Sequence, residues 1–365
     1  MCNLVNQSKQ HAHSLDKKYQ KMYVWLVILI FIAMGFVLLY LFHDVGPNPG
    51  FVLPRRRLRV ISMVVVAAAI AYASVIFQTI TTMKIFTPSI IGFDSLYMFI
   101  QSVMVFFTSA VSGHSTSNRS YFITGVPNFL FSVGLMMLFS LLIFSAIFKK
   151  GNQNIHFLLL SGMIMGTVFS SLTTFIQMLI DPDEFAILQN RIFINFNSIN
   201  QDLIFVATVV IIVGILIGLL YFKYLDVLAM GSDIAIGLGV NHARLSKFYL
   251  LVIAMLVSAS TALVGPATFL GLIVTNLTYQ LVKSYRHKHI IPTCILISII
   301  AVVGGQFIVS RVFNLSTNLS VIINFVGGLY FMKLLLFKDF NIFKWLWNYR
   351  KNFWKQISVN EWRKS

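Results

Sequence analysis

Ten apolar stretches divided by short polar breaks dominate this chain, near residues 23–42, 58–77, 94–111, 127–148, 155–180, 203–222, 248–264, 267–283, 290–309 and 321–337. Each is long enough, or nearly so, to cross a hydrocarbon core of about 30 Å as a helix. Inside that core every backbone N–H and C=O must be satisfied within the structure itself. The expected fold class is therefore all-α: a polytopic membrane protein with about ten transmembrane helices. Composition agrees, because a soluble domain carries about 25% charged residues. This chain has 11% charged residues among 365, is 58% hydrophobic, and includes 34 Phe. Too little polar surface remains to coat a water-soluble globule.

The chain divides into a basic tail (1–22), a membrane domain (23–337) and a second basic tail (338–365). The first apolar stretch lacks a small-residue cleavage pattern and reads as a retained span, not a signal peptide. The pair 248–264 and 267–283 meets at Gly265-Pro266. That break suits either a tight re-entry between helices or a kink in one, and the apolar runs on both sides favour two helices.

With the N-terminus inside, 21 of the 28 Lys and Arg residues fall on the inner side and seven on the outer. This is the bias expected of cytoplasmic segments, so both termini are expected inside. The acidic loop Asp181-Pro182-Asp183-Glu184 then lies outside. The net charge of +17 comes mostly from this bias and the C-terminal tail, and does not indicate nucleic-acid binding. That tail holds Trp345, Trp347, Trp354 and Trp362 among basic residues. It suits an interfacial helix against anionic lipid, or a segment packed on a partner subunit. Arg55-Arg56-Arg57-Leu58-Arg59 lies outside against the bias. Long basic side chains snorkel to headgroups readily, and the alternative is docking of an acidic partner.

The middles of the ten spans contain no Asp, Glu, Lys or Arg; Asp94, His156 and Lys333 lie near span ends. Ionisable groups inside a membrane mark ion and proton pathways, so their absence weakens a proton-coupled carrier. Sodium held by the carbonyls of broken helices stays open. The sequence contains no phosphate-binding loop and no nucleophile or zinc-protease arrangement. Cys2 and Cys294 are far apart with no metal-ligand spacing around them. Gly162-x-x-x-Gly166 and Gly214-x-x-x-Gly218 permit close helix approach.

The most informative segment is the inner loop 223–247, from Leu225-Asp226-Val227-Leu228 through Ala243-Arg244-Leu245. Apolar residues at helical spacing flank Gly237-Leu238-Gly239, which suggests two short helices with a sharp turn there. Their apolar faces need cover, either a groove on a cytoplasmic partner or the lipid interface.

This loop resembles the coupling loop of the permease family that imports iron–siderophores, haem and cobalamin within ATP-binding-cassette importers. The residues that carry the resemblance are Leu228, Met230, Gly231, Ala235, Gly237, Leu238, Gly239, Val240 and Arg244. The likeness continues through Gly265-Pro266-Ala267-Thr268-Phe269-Leu270-Gly271-Leu272-Ile273-Val274, Pro292, Arg311 and Asn324 to Phe331. Upstream, Phe77-Gln78 and Thr87 to Asp94 resemble a siderophore-importing branch. Thr275-Asn276, Gly305-Gln306 and Gly327-Gly328-Leu329 depart from commoner members and also point to that branch.

The resemblance implies a type II ABC importer permease fold in a bacterial cytoplasmic (inner) membrane. It implies a second permease, copy or paralogue, with the pathway at their interface. Two ATPase subunits would bind ATP and Mg, so this chain would carry no cofactor and break no bonds. Arg56, Arg59 and Arg311 fall on the family's outer arginines, which meet acidic side chains of a substrate-binding protein or lipoprotein. The implied cargo is an iron–siderophore. Haem, cobalamin or a metal ion are the alternatives, and an ion-coupled secondary transporter is the reading from another class.

Overall fold

The computed structural model describes residues 23–43, 49–112, 125–148, 155–192, 196, 201–282, 284–311 and 318–336. Both tails lie outside the described residues, and with them the lipid or partner contact expected of the C-terminal one. Among the described residues, thirteen α-helices and one 3-10 turn account for most positions, so the all-α expectation holds.

The elements in order are α1 (Tyr23–Phe42), α2 (Pro49–Thr81), the 3-10 turn Pro88–Ile91, α3 (Phe93–Ser112), α4 (Val126–Phe148), α5 (Ile155–Gln177), α6 (Pro182–Ile192) and α7 (Gln201–Leu219). Then follow α8 (Phe222–Leu228), α9 (Ser232–Gly237), α10 (His242–Val264), α11 (Leu270–Leu281), α12 (His287–Arg311) and α13 (Leu319–Leu336). Every one of the ten apolar stretches is helical. Seven of these helices are long and apolar enough to cross a membrane, while the apolar parts of α3 and α13 are shorter. α11 has 12 residues, about 18 Å of helix, which does not cross a 30 Å core alone. The structure thus supports ten apolar helices without establishing ten complete crossings.

α2 and α10 form the centre, with 72% of each apolar window buried, against 11% for α1. α12 and α8 pack on α2, and α4, α7 and α9 on α10. The core runs through Met63, Tyr72, Phe77, Tyr249, Ile253, Leu256 and Val303. The outer faces of α1, α5, α7 and α13 are apolar and exposed, as hydrocarbon or a membrane partner requires.

Two expectations are corrected, and the favoured two-helix reading of Gly265-Pro266 holds. The acidic segment at 181–184 is not a loop throughout: Pro182 opens α6, with Asp183 and Glu184 in its first turn. Both fit there, since Pro needs no N–H at that position and carboxylates favour the positive helix end. Gly265-Pro266 separates two helices, α10 and α11. Asp94 begins α3, but that end is deep in the bundle. A Cβ on Gly162 would lie 2.7 Å from Ile91 Cα, and one on Gly92 would lie 3.0 Å from Gly166 Cα. Those α5 glycines are roughly 10 to 17 Å along the helix from Ile155. Glycine is required because the backbones touch.

Candidate functional site

Two clusters stand at opposite ends of α2 and α12. At one end, α1 finishes and α2 begins. Arg56 Nη1 donates to the carbonyls of Tyr40 (3.3 Å), Leu41 (3.2 Å) and His43 (2.7 Å). Arg311 Nη2, from the last turn of α12, donates to the same His43 carbonyl at 3.0 Å. The His43 ring meets Phe307 edge-on at 5.5 Å. The last carbonyls of a helix lack intrahelical donors and carry its negative dipole end, so guanidinium groups fit there. The structure brings Arg56 and Arg311 to one carbonyl and engages both with backbone. Arg59 lies half-buried one turn along α2, its carbonyl accepting from Ser62 Oγ at 2.8 Å. Arg55 stacks 4.1 Å from the Phe51 ring centroid, and Arg57 is exposed.

At the other end, α7 is followed by the short helices α8 and α9 before α10 begins. Both short helices precede the Gly-x-Gly segment, which corrects the expected turn. The bend between them is at Gly231, with φ +96°. Gly237-Leu238-Gly239 instead ends α9: Gly239 N–H donates to Ile236 O at 2.9 Å and Val240 N–H to Ala235 O at 3.0 Å. With Gly239 at φ +77°, this is the left-handed glycine cap that satisfies the last helix carbonyls. Asn241 then starts α10, its Oδ1 accepting from Arg244 N–H at 3.0 Å, the usual N-cap bond.

The loop sorts its residues by burial. Leu225, Leu228 and Ala235 are fully buried and hold the two helices to the bundle. Met230, Ile234, Ile236 and Leu238 are exposed by 54 to 62%, a cluster of large apolar side chains on a polar loop. Gly237, Gly239 and Arg244 are exposed beside them, and Val240 is half-buried. Of the residues singled out from sequence, Leu228 and Ala235 thus support the surface while Met230 and Leu238 form it. Ile234 and Ile236 belong to that surface and were missed, because apolar residues in a short helix do not reveal which face is covered.

Behind the loop, Asp226 on α8 accepts at Oδ1 from the His287 backbone N–H (2.9 Å) and from His287 Nδ1–H (2.6 Å). His287 Nε2 lies 2.7 Å from Thr79 Oγ1 on α2. At mid-depth, Thr268 Oγ1 donates to Asp94 Oδ2 at 2.8 Å, joining the start of α3 to the α10–α11 break. Asp94 Oδ1 is buried without a hydrogen-bond partner. The described residues contain no group of three His, Cys, Asp or Glu arranged to hold a metal ion. An apolar crevice of about 420 Å3 lies between α3, α4 and α5, lined by Phe99, Phe107, Leu138 and Phe169 among others. Its wholly apolar lining does not suit a polar chelate.

Comparison with known proteins accords with the all-helical membrane fold. The petrobactin import system permease protein YclO of Bacillus subtilis is 46% identical over 311 residues, covering 85% of this chain and 96% of the relative. The petrobactin import system permease protein FatC of Bacillus anthracis is 34% identical over 344 residues, covering 92% and 95%. A solved inward-facing metal-chelate type ABC transporter superposes with a TM-score of 0.70 at 21% identity, covering 87% of this chain and 99% of that one. The FecCD transport family model matches residues 26–337. This chain, a multi-pass membrane protein, belongs to the FecCD transport family.

Proposed function

We propose that this chain is the permease subunit of an ABC importer for iron–siderophore complexes, with ferric petrobactin the first cargo to test. The observation that carries the reading is the exposed Met230, Ile234, Ile236 and Leu238 cluster, presented by buried anchors at the opposite end of α2 from Arg56 and Arg59. An apolar surface on a short helix suits insertion into a groove of a partner, here an ATPase subunit that binds ATP and Mg. The arginine end suits acidic side chains of a substrate-binding protein or lipoprotein, because Arg pairs carboxylates well. A second permease would complete the pathway, and a change in the ATPase pair would move the short helices. The bacterial cytoplasmic membrane is the natural location, with the loop end and both termini inside. The near full-length identity to two petrobactin permeases supports the cargo class.

The test is uptake of radio-iron supplied on a panel of siderophores, petrobactin included, in cells with and without the gene. Selective loss for one chelate, restored by the wild-type gene but not by a membrane-expressed Gly239→Trp variant, is the expected result. Unchanged uptake of every chelate in a strain without a redundant importer overturns the siderophore reading.

A further inference from the structure

Asp226, His287 and Thr79 form a linked chain of polar contacts. It starts on α8 at the base of the exposed loop, passes through the first residue of α12, and ends two residues before the end of α2. The chain is built for directional contact. One carboxylate oxygen, Asp226 Oδ1, takes both the backbone N–H and the ring Nδ1–H of His287, at 2.9 and 2.6 Å. The carboxylate therefore fixes where α12 begins as well as the ring orientation. With Nδ1 donating to Asp226, Nε2 faces Thr79 Oγ1 at 2.7 Å, and the hydroxyl's single proton goes either to Nε2 of a neutral ring or, when Nε2 carries a proton and donates, to the backbone. The same hydroxyl lies 2.8 Å from Val75 O within α2, so α2 is gripped through its own backbone ladder.

Exposure falls along the chain: the Asp226 side chain is 44% exposed, that of His287 3%, and Thr79 is buried. The chain thus runs from the loop surface into the core. Its far members belong to α2 and α12, which pack along much of their lengths. Those are also the helices whose opposite ends carry Arg56 and Arg311. Without it, α8 would be held to the bundle mainly by Leu225 and Leu228. Such apolar contacts can slide, because they have no directional requirement, whereas hydrogen bonds fail beyond a few tenths of an ångström.

We propose that Asp226, His287 and Thr79 act as the positioning link that transmits displacement of the α8–α9 loop to α2 and α12. This rests on the importer reading, in which the loop is the part a partner ATPase moves. The role is one of coupling: the link makes motion at the loop obligatory for motion in the bundle.

The test uses the complete importer in proteoliposomes, measuring ATP hydrolysis and uptake of radio-iron-loaded petrobactin delivered by its binding protein. Asp226→Ala should leave the complex assembled and hydrolysing ATP, while uptake per ATP falls about tenfold, near the upper range for residues within coupling networks. Asp226→Asn keeps an oxygen for both His287 donors and should restore most of the ratio, a rescue that a charge requirement would not allow. Thr79→Val, at the far end of the chain, should also lower the ratio. Unchanged uptake per ATP in Asp226→Ala overturns the link. So does loss of assembly with proportionate loss of both activities, or an Asn variant no better than Ala. Absence of ATP-driven uptake in the wild-type importer is the separate outcome that removes the importer reading, and the link with it.

Discussion

Arg56 and Arg311 direct guanidinium N–H groups to one backbone carbonyl, that of His43, so these arginines hold the end of α1 whatever else they meet. Arg59, a turn further along α2, does not share the His43 carbonyl and offers a cleaner test of docking. Arg56→Ala should lower stability by about 1 kcal/mol through loss of charge-assisted bonds to carbonyls, read as thermal unfolding in detergent. Arg59→Ala should leave melting unchanged and weaken capture of the binding protein, read by titration on the assembled importer. Gly162 carries a sharper expectation. Its Cβ position lies 2.7 Å from Ile91 Cα, so Gly162→Val should cost about 1–3 kcal/mol or more from overpacking against backbone, measured in the same melt. The identity of each of these residues was visible in the sequence, and the importance of Gly162 was only a spacing. Which atom each one touches was not visible, because the partners of Arg311 and Gly162 lie 268 and 71 positions away in the chain.

At the scale of the element, α8 and α9 show how a short helix is presented rather than merely formed. Six or seven residues do not make a stable isolated helix, so these depend on Leu225, Leu228 and Ala235 buried beneath them and on the glycine cap after α9. Leu225→Ala should therefore destabilise the loop by about 2–5 kcal/mol, seen as faster proteolysis of the 223–247 segment. Ile234→Asp alters an exposed position instead. It should leave the melting temperature unchanged and abolish co-purification of the ATPase subunit, since a carboxylate would be buried unpaired in the groove. Hydrophobic periodicity located the loop and announced two short helices. It misplaced their bend at Gly237–Gly239, because a glycine pair signals backbone freedom without saying whether that freedom serves a turn between helices or the cap of one. Leu238 and Leu228 look alike in sequence, yet one is 62% exposed and the other buried.

Across the whole molecule, α2 and α12 span from the arginine end to the loop end, and the docking and coupling roles proposed for those ends predict different kinetic signatures. In reconstituted importer, Arg59→Ala should raise the concentration of loaded binding protein needed for half-maximal uptake while leaving the maximal rate near that of wild type. Ile236→Asp should lower the maximal rate and leave that concentration unchanged. A rate-against-concentration curve for each variant separates the two, because docking acts before the ATP-driven step and coupling acts within it.

Solvent, helical secondary structure and family pattern can all be read from the residues alone. Long apolar runs can satisfy their backbone in hydrocarbon only as helices, and local motifs such as Leu238-Gly239-Val240 keep their meaning wherever they occur. That Asp94 is deep although it starts a helix, and that α11 is too short to cross alone, emerges from the folded chain. The fold also decides which apolar residues of α9 remain uncovered, and that Asp226 reaches His287 and Thr79. Those outcomes depend on distances between segments 61 and 208 positions apart. Neither periodicity nor composition carries such distances, since both describe one segment at a time.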